Sequence, residues 1–415
     1  MSRASKEEAT SIKIVTSMRE VERDAWDACA NPATAKSNGS TENPASCSAF
    51  NPFISWDFLE ALEASGSVSA RTGWVPRHLV LTDGRETIGA VPCYAKSHSQ
   101  GEYVFDWGWA EAFERAGGEY YPKLQVSVPF TPVTGPRLLV PPGPDAAKRK
   151  QMLAAGLVEL CRRSGVSSAH LTFLPEADAD LVGSMGFLRR TDQQFHWTDH
   201  NYGDFDGFLE ALASRKRKAI RKERRDAAEG GISFEWVTGS DLTEAHWDSF
   251  FSFYMDTGSR KWGRPYLNRR FFSLLGERMA ARVLLIMAKR DGRYIAGALN
   301  LIGSDTLYGR YWGAIEEHPY LHFEVCYYQA IDFALAHGLT RVEAGAQGAH
   351  KLARGYMPHA THSAHYIADP NFRRAVEAYL REERREVRVQ GELLAEHAPF
   401  RKHEQAGEID RGTDG

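Results

Sequence analysis

At 415 residues the chain is long enough for two domains, each with its own core. Apolar content of 43% and charged content of 25% are ordinary for a globular protein, and a net charge of −3 argues against general coating of nucleic acid. Five scattered cysteines (Cys29, Cys47, Cys93, Cys161, Cys326) form no Cys-x-x-Cys, which favours reduced thiols in a cytoplasm over a disulfide framework or a zinc site.

Met1–Thr10 is polar, with no signal-peptide core, and no apolar run reaches the length of about 18 residues that a membrane span needs. Ala30–Ala49, rich in Asn, Ser, Thr, Pro and Ala, reads as a flexible loop. Asn51 and Pro52 then suit the start of a helix carrying Phe53, Trp56, Leu59 and Leu62. Around Pro76–Lys96 two apolar runs flank Asp83-Gly84-Arg85, a hairpin signal because the turn needs positive φ. Pro136–Val140 reads as a strand, Pro141–Lys150 as a loop and Gln151–Arg163 as a helix stopped by Gly165. Ser168–Leu174 (strand), Ala177–Met185 (short helix) and Phe187–Trp197 (extended) close the first half.

The second half repeats this order. A helical lead-in at Phe208–Ala228 precedes a strand at Ile232–Val237 and helices near Trp247–Tyr254 and Arg269–Ala280. Asp291-Gly292-Arg293 then echoes Asp83-Gly84-Arg85, and in both copies Gly-Ala begins six residues after the Asp. A strand at Thr306–Ala314, a loop at Ile315–His322, a helix at Phe323–His337 and a strand at Arg341–Ala344 follow. A repeat about 200 residues apart indicates two copies of one α/β domain rather than a solenoid. From Asp83 to Gly165 is 82 residues and from Asp291 to Gly338 is 47, so the first copy carries about 35 extra residues. The expected division is 1–203, 204–390 and a disordered tail, 391–415.

That extra stretch, His98–Pro132, sets His98, Glu102, Asp106, Glu111, Glu119 and Lys123 among Tyr103, Phe105, Trp107, Tyr120 and Tyr121. Ionisable groups beside large aromatics are how a cleft shifts pKa values and orients a polar substrate. Glu343–Tyr356 is a second dense segment, whose glycines allow close backbone approach and whose His350, Lys351 and Arg354 suit an anion. Attack by an amine needs a base, for which Glu343 and His350 are the candidates. The basic run Arg215–Arg225, including Arg217, Lys218 and Arg221, could grip tRNA phosphates, a lipid-linked phosphate or an anionic membrane; a solvated helix face is the plain alternative. His318, His322 and Glu324, and downstream His359, His362 and His365, match no zinc spacing and read as histidines paired with carboxylates. No metal is expected.

The order of elements resembles the GNAT acyltransferase fold, and two such domains in tandem resemble the Fem-type aminoacyltransferases, which attach amino acids from aminoacyl-tRNA to cell-wall peptide precursors. Asn51-Pro52-Phe53, the run from Lys96 through Gly101-Glu102-Tyr103-Val104-Phe105-Asp106-Trp107, Tyr120-Tyr121-Pro122-Lys123-Leu124 and Val128-Pro129-Phe130-Thr131-Pro132 resemble the FemAB-like family, labelled with peptidoglycan biosynthesis. The likeness covers about Asn51–Arg385. It implies two tandem GNAT-like domains, each a mixed, largely antiparallel sheet flanked by helices. It also implies an acyl- or aminoacyltransferase acting on an amine of a peptide-like acceptor. The substrate-binding set expected here is His98, Glu102, Asp106, Tyr121, Lys123, Lys351, Arg354 and Tyr356. No bound cofactor is required, and acyl-CoA and aminoacyl-tRNA are the candidate donors. The Gln/Arg-x-x-Gly-x-Gly/Ala loop that holds the CoA pyrophosphate in GNAT enzymes is matched neither at Pro141–Ala146 nor at Glu316–Leu321. A non-catalytic precursor-recognition protein, or an acetyltransferase with a degenerate loop, are the alternatives.

Overall fold

A computed structural model describes residues 10–32, 50–262, 265–345 and 348–401. Most of the loop expected at Ala30–Ala49 lies outside them, as do 402–415. The strands in chain order are β1 (Ser11–Val15), β2 (Trp74–Pro76), β3 (His78–Asp83), β4 (Glu86–Val91), β5 (Cys93–Lys96), β6 (Lys123–Val126), β7 (Ser168–Leu174), β8 (Leu188–Thr198), β9 (Ser233–Thr238), β10 (Val283–Arg290), β11 (Arg293–Ile302), β12 (Thr306–Ala314), β13 (Arg341–Glu343) and β14 (Met357–Ile367).

Two compact units divide the chain. The first comprises residues up to Asp192, Tyr266–Met279 and Thr361–Val387; the second comprises Gln193–Pro265, Ala280–Ala360 and the residues from Arg388 on. The division expected at 203/204 thus differs from the contact-based one at 192/193, and two later segments fold back into the first unit.

In the first unit the sheet order is β2-β5-β6-β7-β14, with β1-β3-β4 as a separate small sheet. Only β6 and β7 among these run parallel. Parallel neighbours need a crossover, and the helix Ala146–Ser164 supplies it. Gly165, in the left-handed region at φ 64°, caps that helix. Leu153, Leu157 and Cys161 of the helix pack on Leu124, Val126, Ala169 and Leu171 of the sheet.

The second unit repeats this plan, with order β8-β13-β12-β11-β10-β9 and one parallel pair, β12 with β13. Its crossover is the helical stretch Leu321–Ala336, interrupted by a π-turn at Glu324–Tyr328. Leu284, Ile286, Ala296, Leu307, Val325, Ile331 and Val342 form its core. Both units are therefore the mixed, largely antiparallel sheets expected.

The echoed Asp-Gly-Arg motifs fold one residue out of step. In the first hairpin Asp83 pairs with Glu86 and Gly84, at φ 62°, opens the two-residue loop. In the second, Arg290 pairs with Arg293, and both Asp291 (φ 49°) and Gly292 (φ 76°) are left-handed, as a type I′ turn requires.

Pro136–Val140 is no strand. Leu139 alone bridges to Ala90, and Arg137 turns its guanidinium onto the carbonyls of Gly135, Pro136 and Val133. The helix expected from Gln151 starts five residues earlier, at Ala146. The tail expected from 391 is also ordered up to Arg401. The helix Pro370–Glu396 runs through it, and Ala213 N donates to Pro399 O at 2.9 Å, because Leu394 and Phe400 pack on the second unit's core.

Candidate functional site

In the first unit the aromatic-acidic stretch folds over the sheet. It forms the helix Trp107–Arg115 and strand β6. Lys123 Nζ, fully buried, donates to Glu102 Oε2 at 2.7 Å, Asp106 Oδ2 at 2.5 Å and Ser99 Oγ at 2.9 Å. The Tyr120 hydroxyl donates to Asp106 Oδ2 at 2.6 Å, and Tyr121 shares a hydrogen bond with Ser99 at 2.8 Å. Lys96 Nζ sits 3.8 Å from the Trp74 ring centre and 4.0 Å from Glu102 Oε1, and bonds the Gln100 carbonyl and His98 Nδ1. Glu102, Asp106, Tyr121 and Lys123, singled out from sequence, thus meet in one network, with His98 at its margin.

Burial shapes the titration of this cluster. It pushes Glu102 up to about 7, against the pull of Lys123, and Lys96 down to about 7. Burial would raise Asp106 too, but Lys123 and then His170 overcome it and hold the carboxyl well below its usual range. Two more members join from β7 and β14: His170, which sequence reading missed, and His365, expected beside a carboxylate but found beside His170. His170 Nε2 lies 3.9 Å from Asp106 Oδ2, and its Nδ1 lies 2.7 Å from Nδ1 of His365. Burial drops His170 to about 3 and His365 well below the ordinary histidine value.

In the second unit, β12 and β13 are paired only from Thr306–Arg341 to Tyr308–Glu343. Beyond this point β12 continues to Ala314, whereas β13 ends at Glu343. Glu343, at that strand end, is buried and takes Arg310 Nη2 at 3.2 Å, with His196 Nε2 at 4.0 Å. Burial raises the Glu343 pKa, and Arg310 offsets part of the rise. Arg310 and His196 carried no local sequence signal, since the sheet register brings them in.

After β13, the 3₁₀ segment Ala349–Arg354 carries the other candidates. Lys351 Nζ donates to the carbonyls of Ala344 (2.6 Å) and Gly345 (3.0 Å), and burial lowers it to about 8. Arg354 donates to Glu223 Oε2 at 2.8 Å and to the His350 carbonyl at 2.8 Å, with its guanidinium 3.4 Å from the Phe323 ring centre. His350 is exposed, its Nε2 3.0 Å from the Tyr327 hydroxyl, while Tyr356 is buried and donates to Tyr327 O at 3.2 Å. His350, Arg354 and Tyr356 therefore cluster around Tyr327, whereas Lys351 holds the carbonyls that follow Glu343, and Glu343 itself is held by Arg310. On the basic helix Ser214–Ala227, Arg215, Lys218, Arg221, Lys222 and Arg225 are exposed and Arg217 is half-buried. Arg221 reaches Asp206 at 3.2 Å. Among the described residues no group of three or more His, Cys, Asp or Glu side chains is placed to hold a metal, and no helix is long and apolar enough to cross a membrane.

A family model described as peptidoglycan biosynthesis/recognition, FemAB-like, matches residues 17–402. The chain belongs to the FemAB-like family. The crystal structure of FemX aligns over 86% of this chain and 98% of its own, at 12% identity and a TM-score of 0.50, a likeness of fold. Also similar are L-PGS from Bacillus licheniformis (82% and 96% covered, 9% identity, TM-score 0.48) and a tandem GNAT protein from the clavulanic acid biosynthesis pathway (87% and 99% covered, 14% identity, TM-score 0.43). No curated protein matches the sequence.

Neither pyrophosphate-loop position of this FemAB-like chain carries the glycine-rich CoA motif. Before the first crossover helix stand Pro141, Pro142 and Pro144, which supply no N–H. Before the second, Glu316 and Glu317 line a surface pocket of about 370 Å³ with Trp312, His318 and His322. Glu316 there is paired with Arg290 and His318, each at 2.9 Å.

Proposed function

We propose that this FemAB-like protein is an N-acyltransferase that moves an acyl or aminoacyl group onto an amine of a peptide-like, cell-wall-precursor-like acceptor. The observation that carries this reading is the end of the β12–β13 pairing at Tyr308–Glu343 in the second unit, with ionisable side chains at and after that point. Ligands of α/β sheets gather outside the carboxyl ends of strands.

In the transfer, the amine nitrogen bonds to the donor's carbonyl carbon, and the carbonyl's C–O bond (aminoacyl ester) or C–S bond (thioester) breaks. The amine's proton goes to a base and on to the leaving oxygen or sulfur. His350 suits that role. It is exposed, and partial burial followed by Arg354 and Lys351 keeps its pKa below the usual histidine value, so it is neutral at pH 7. Lys351 uses two of its three N–H groups on backbone carbonyls and offers the third to the developing oxyanion. Glu343, expected as a second candidate base, is held by Arg310 and acts as a positioning group. The absence of the CoA loop motif at both positions favours aminoacyl-tRNA as donor, with the exposed Lys218 and Arg221 as phosphate contacts.

The test is mass spectrometry of a soluble cell-wall peptide precursor incubated with the protein and, separately, with aminoacyl-tRNA or acetyl-CoA. Aminoacyl-tRNA should add one residue's mass to the acceptor. His350→Ala should slow this about 100-fold or more with an unchanged melting curve. No adduct from either donor, with retained binding of the precursor, would replace transfer by recognition. The two mismatched loops are the observation that favours that second reading.

A further inference from the structure

The first unit's sheet has two very different faces. Directly opposed residues on neighbouring strands point to the same side. Trp74 opposes Lys96, Lys96 opposes Lys123, Tyr94 opposes Gln125, Gln125 opposes His170, and His170 opposes His365. This whole face is polar or amphipathic. The reverse face carries Cys93, Leu124, Val126, Ala169, Leu171 and Ala364 and is apolar core. An alternating strand normally turns its polar side to water. Here it does not, because Lys96, Lys123, Gln125, His170 and His365 are each at most 1% exposed.

The covered face is incompletely satisfied. Glu102 Oε1, Asp106 Oδ1 and Gln125 Oε1 are buried and accept no hydrogen bond among the described residues. Trp74 Nε1, Ser127 Oγ and Thr131 Oγ1 are buried and likewise unpaired. Each unmet group costs about 1–3 kcal/mol, so a cluster of them marks a place built for something other than stability. Three non-glycine residues of the first unit, Tyr103 (φ 62°), Phe130 (φ 63°) and Phe173 (φ 60°), also hold left-handed backbone, a strain that collects at functional sites.

The unpaired atoms specify the ligand's chemistry. Lys123 already occupies Glu102 Oε2 and Asp106 Oδ2. Lys96 lies 4.0 Å from the Glu102 sister oxygen, beyond hydrogen-bond reach, so that oxygen, Asp106 Oδ1 and Gln125 Oε1 still lack an N–H donor among the described residues, and the indole N–H and the two hydroxyls still lack a partner there. We infer that the covered polar face of the first unit's sheet is a binding site for an amino-acid-type ligand, its ammonium on Glu102 and Asp106 and its carbonyl or carboxylate oxygen on Trp74, Ser127 and Thr131. Binding here does not require the second unit to transfer anything.

The site has a pH signature. Glu102 faces Lys96, Lys123, Asp106 and Tyr121, with His98, Tyr120 and His170 in the same network. Burial brings both Glu102 and Lys96 to about 7. Rising pH ionises Glu102 and neutralises Lys96, and both changes favour an added cation.

Titration calorimetry on the full chain, without donor or acceptor, tests this. The probes are glycine, L-alanine, L-serine and L-lysine, each with its N-acetyl form. At least one free amino acid should bind, and its N-acetyl form should bind at least about tenfold more weakly, ~1.4 kcal/mol. Affinity should strengthen between about pH 6 and about pH 8. Glu102→Gln and Asp106→Asn should each weaken binding about tenfold, and the N-acetyl comparison needs no variant should either fail to fold. No binding of any amino acid, equal binding of the N-acetyl form, or affinity that strengthens as pH falls would overturn the assignment.

Discussion

Replacing Lys123 by Met keeps most of the side-chain volume and removes one buried charge. Lys123 touches Glu102 at 2.7 Å and Asp106 at 2.5 Å, all three side chains at most 3% exposed. Glu102 keeps a second cation, Lys96, at 4.0 Å. Asp106 keeps the Tyr120 hydroxyl and His170, which is neutral at pH 7. In Lys123→Met, Asp106 either stays charged in the interior or takes a proton. Protonation costs about 1.36 × (8 − 3.9), or about 5–6 kcal/mol, at pH 8 and about 1.5 kcal/mol at pH 5, which caps the loss. Removing one partner of a buried pair costs about 3–5 kcal/mol. The expected deficit is therefore about 3–5 kcal/mol at pH 8 and about 1–2 kcal/mol at pH 5.

The sign follows from linkage. In the wild type the depressed Asp106 pKa contributes stability above the unfolded value of about 3.9 and loses it as pH falls below. In the variant the folded pKa lies above the unfolded one, so stability falls as pH rises through that window. Urea denaturation at both pH values, followed by tryptophan fluorescence and circular dichroism, measures the gap. A deficit under about 1 kcal/mol at pH 8, or one equal at both pH values, would refute the idea that Lys123 neutralises two buried carboxylates.

Three further outcomes are expected. In Gly313→Ala the new Cβ would run into backbone atoms of Phe253, so calorimetric melting should show a loss of about 1–3 kcal/mol; Gly156→Ala meets only side-chain tips, Ile12 at 2.5 Å and Leu79 at 3.3 Å, and should cost under about 1 kcal/mol. Arg310→Met leaves Glu343 buried without its cation and should cost about 3–5 kcal/mol in denaturant titration, more than Glu343→Gln does. Burial raises the thiol of Cys29 to about 12, that of Cys161 to about 11 and that of Cys93 further still, so iodoacetamide at pH 8 should leave all three unmodified in the native protein, as read by peptide mass mapping.

Strands β7 and β12 were legible to the residue, because strong patterning runs up to clear breaks at each end. Strand β6 was not. Lys123-Leu124-Gln125-Val126 is a short run with Lys and Gln at alternate positions, the side a strand normally gives to water, and only the structure shows that this side is covered. Strand β14, with Pro358, His359, His362 and His365, has the same fault. The site was legible where its members are close in sequence, as with Glu102, Asp106, Tyr121 and Lys123. His170 and His365 are 195 residues apart and meet through the register of β7 and β14, which no local spacing encodes.

The two copies put one backbone position to opposite uses. Aligning the parallel pairs by register, Leu124–Ala169 on Leu307–Val342, sets His170 where the second unit has Glu343, and Gln125 where it has Tyr308. In the first unit β7 runs on to Leu174 and the position is sealed. A neutral imidazole fits there, because a carboxylate would be a third buried anion beside Glu102 and Asp106. In the second unit β13 ends at this residue, and a carboxylate is held there by Arg310. Exchanging the two residues would leave Arg310 unpaired in one copy and crowd three carboxylates in the other, which makes the duplication asymmetric in charge while it stays symmetric in fold. Both positions are buried, but one copy continues its strand past the imidazole and the other ends its strand at the carboxylate.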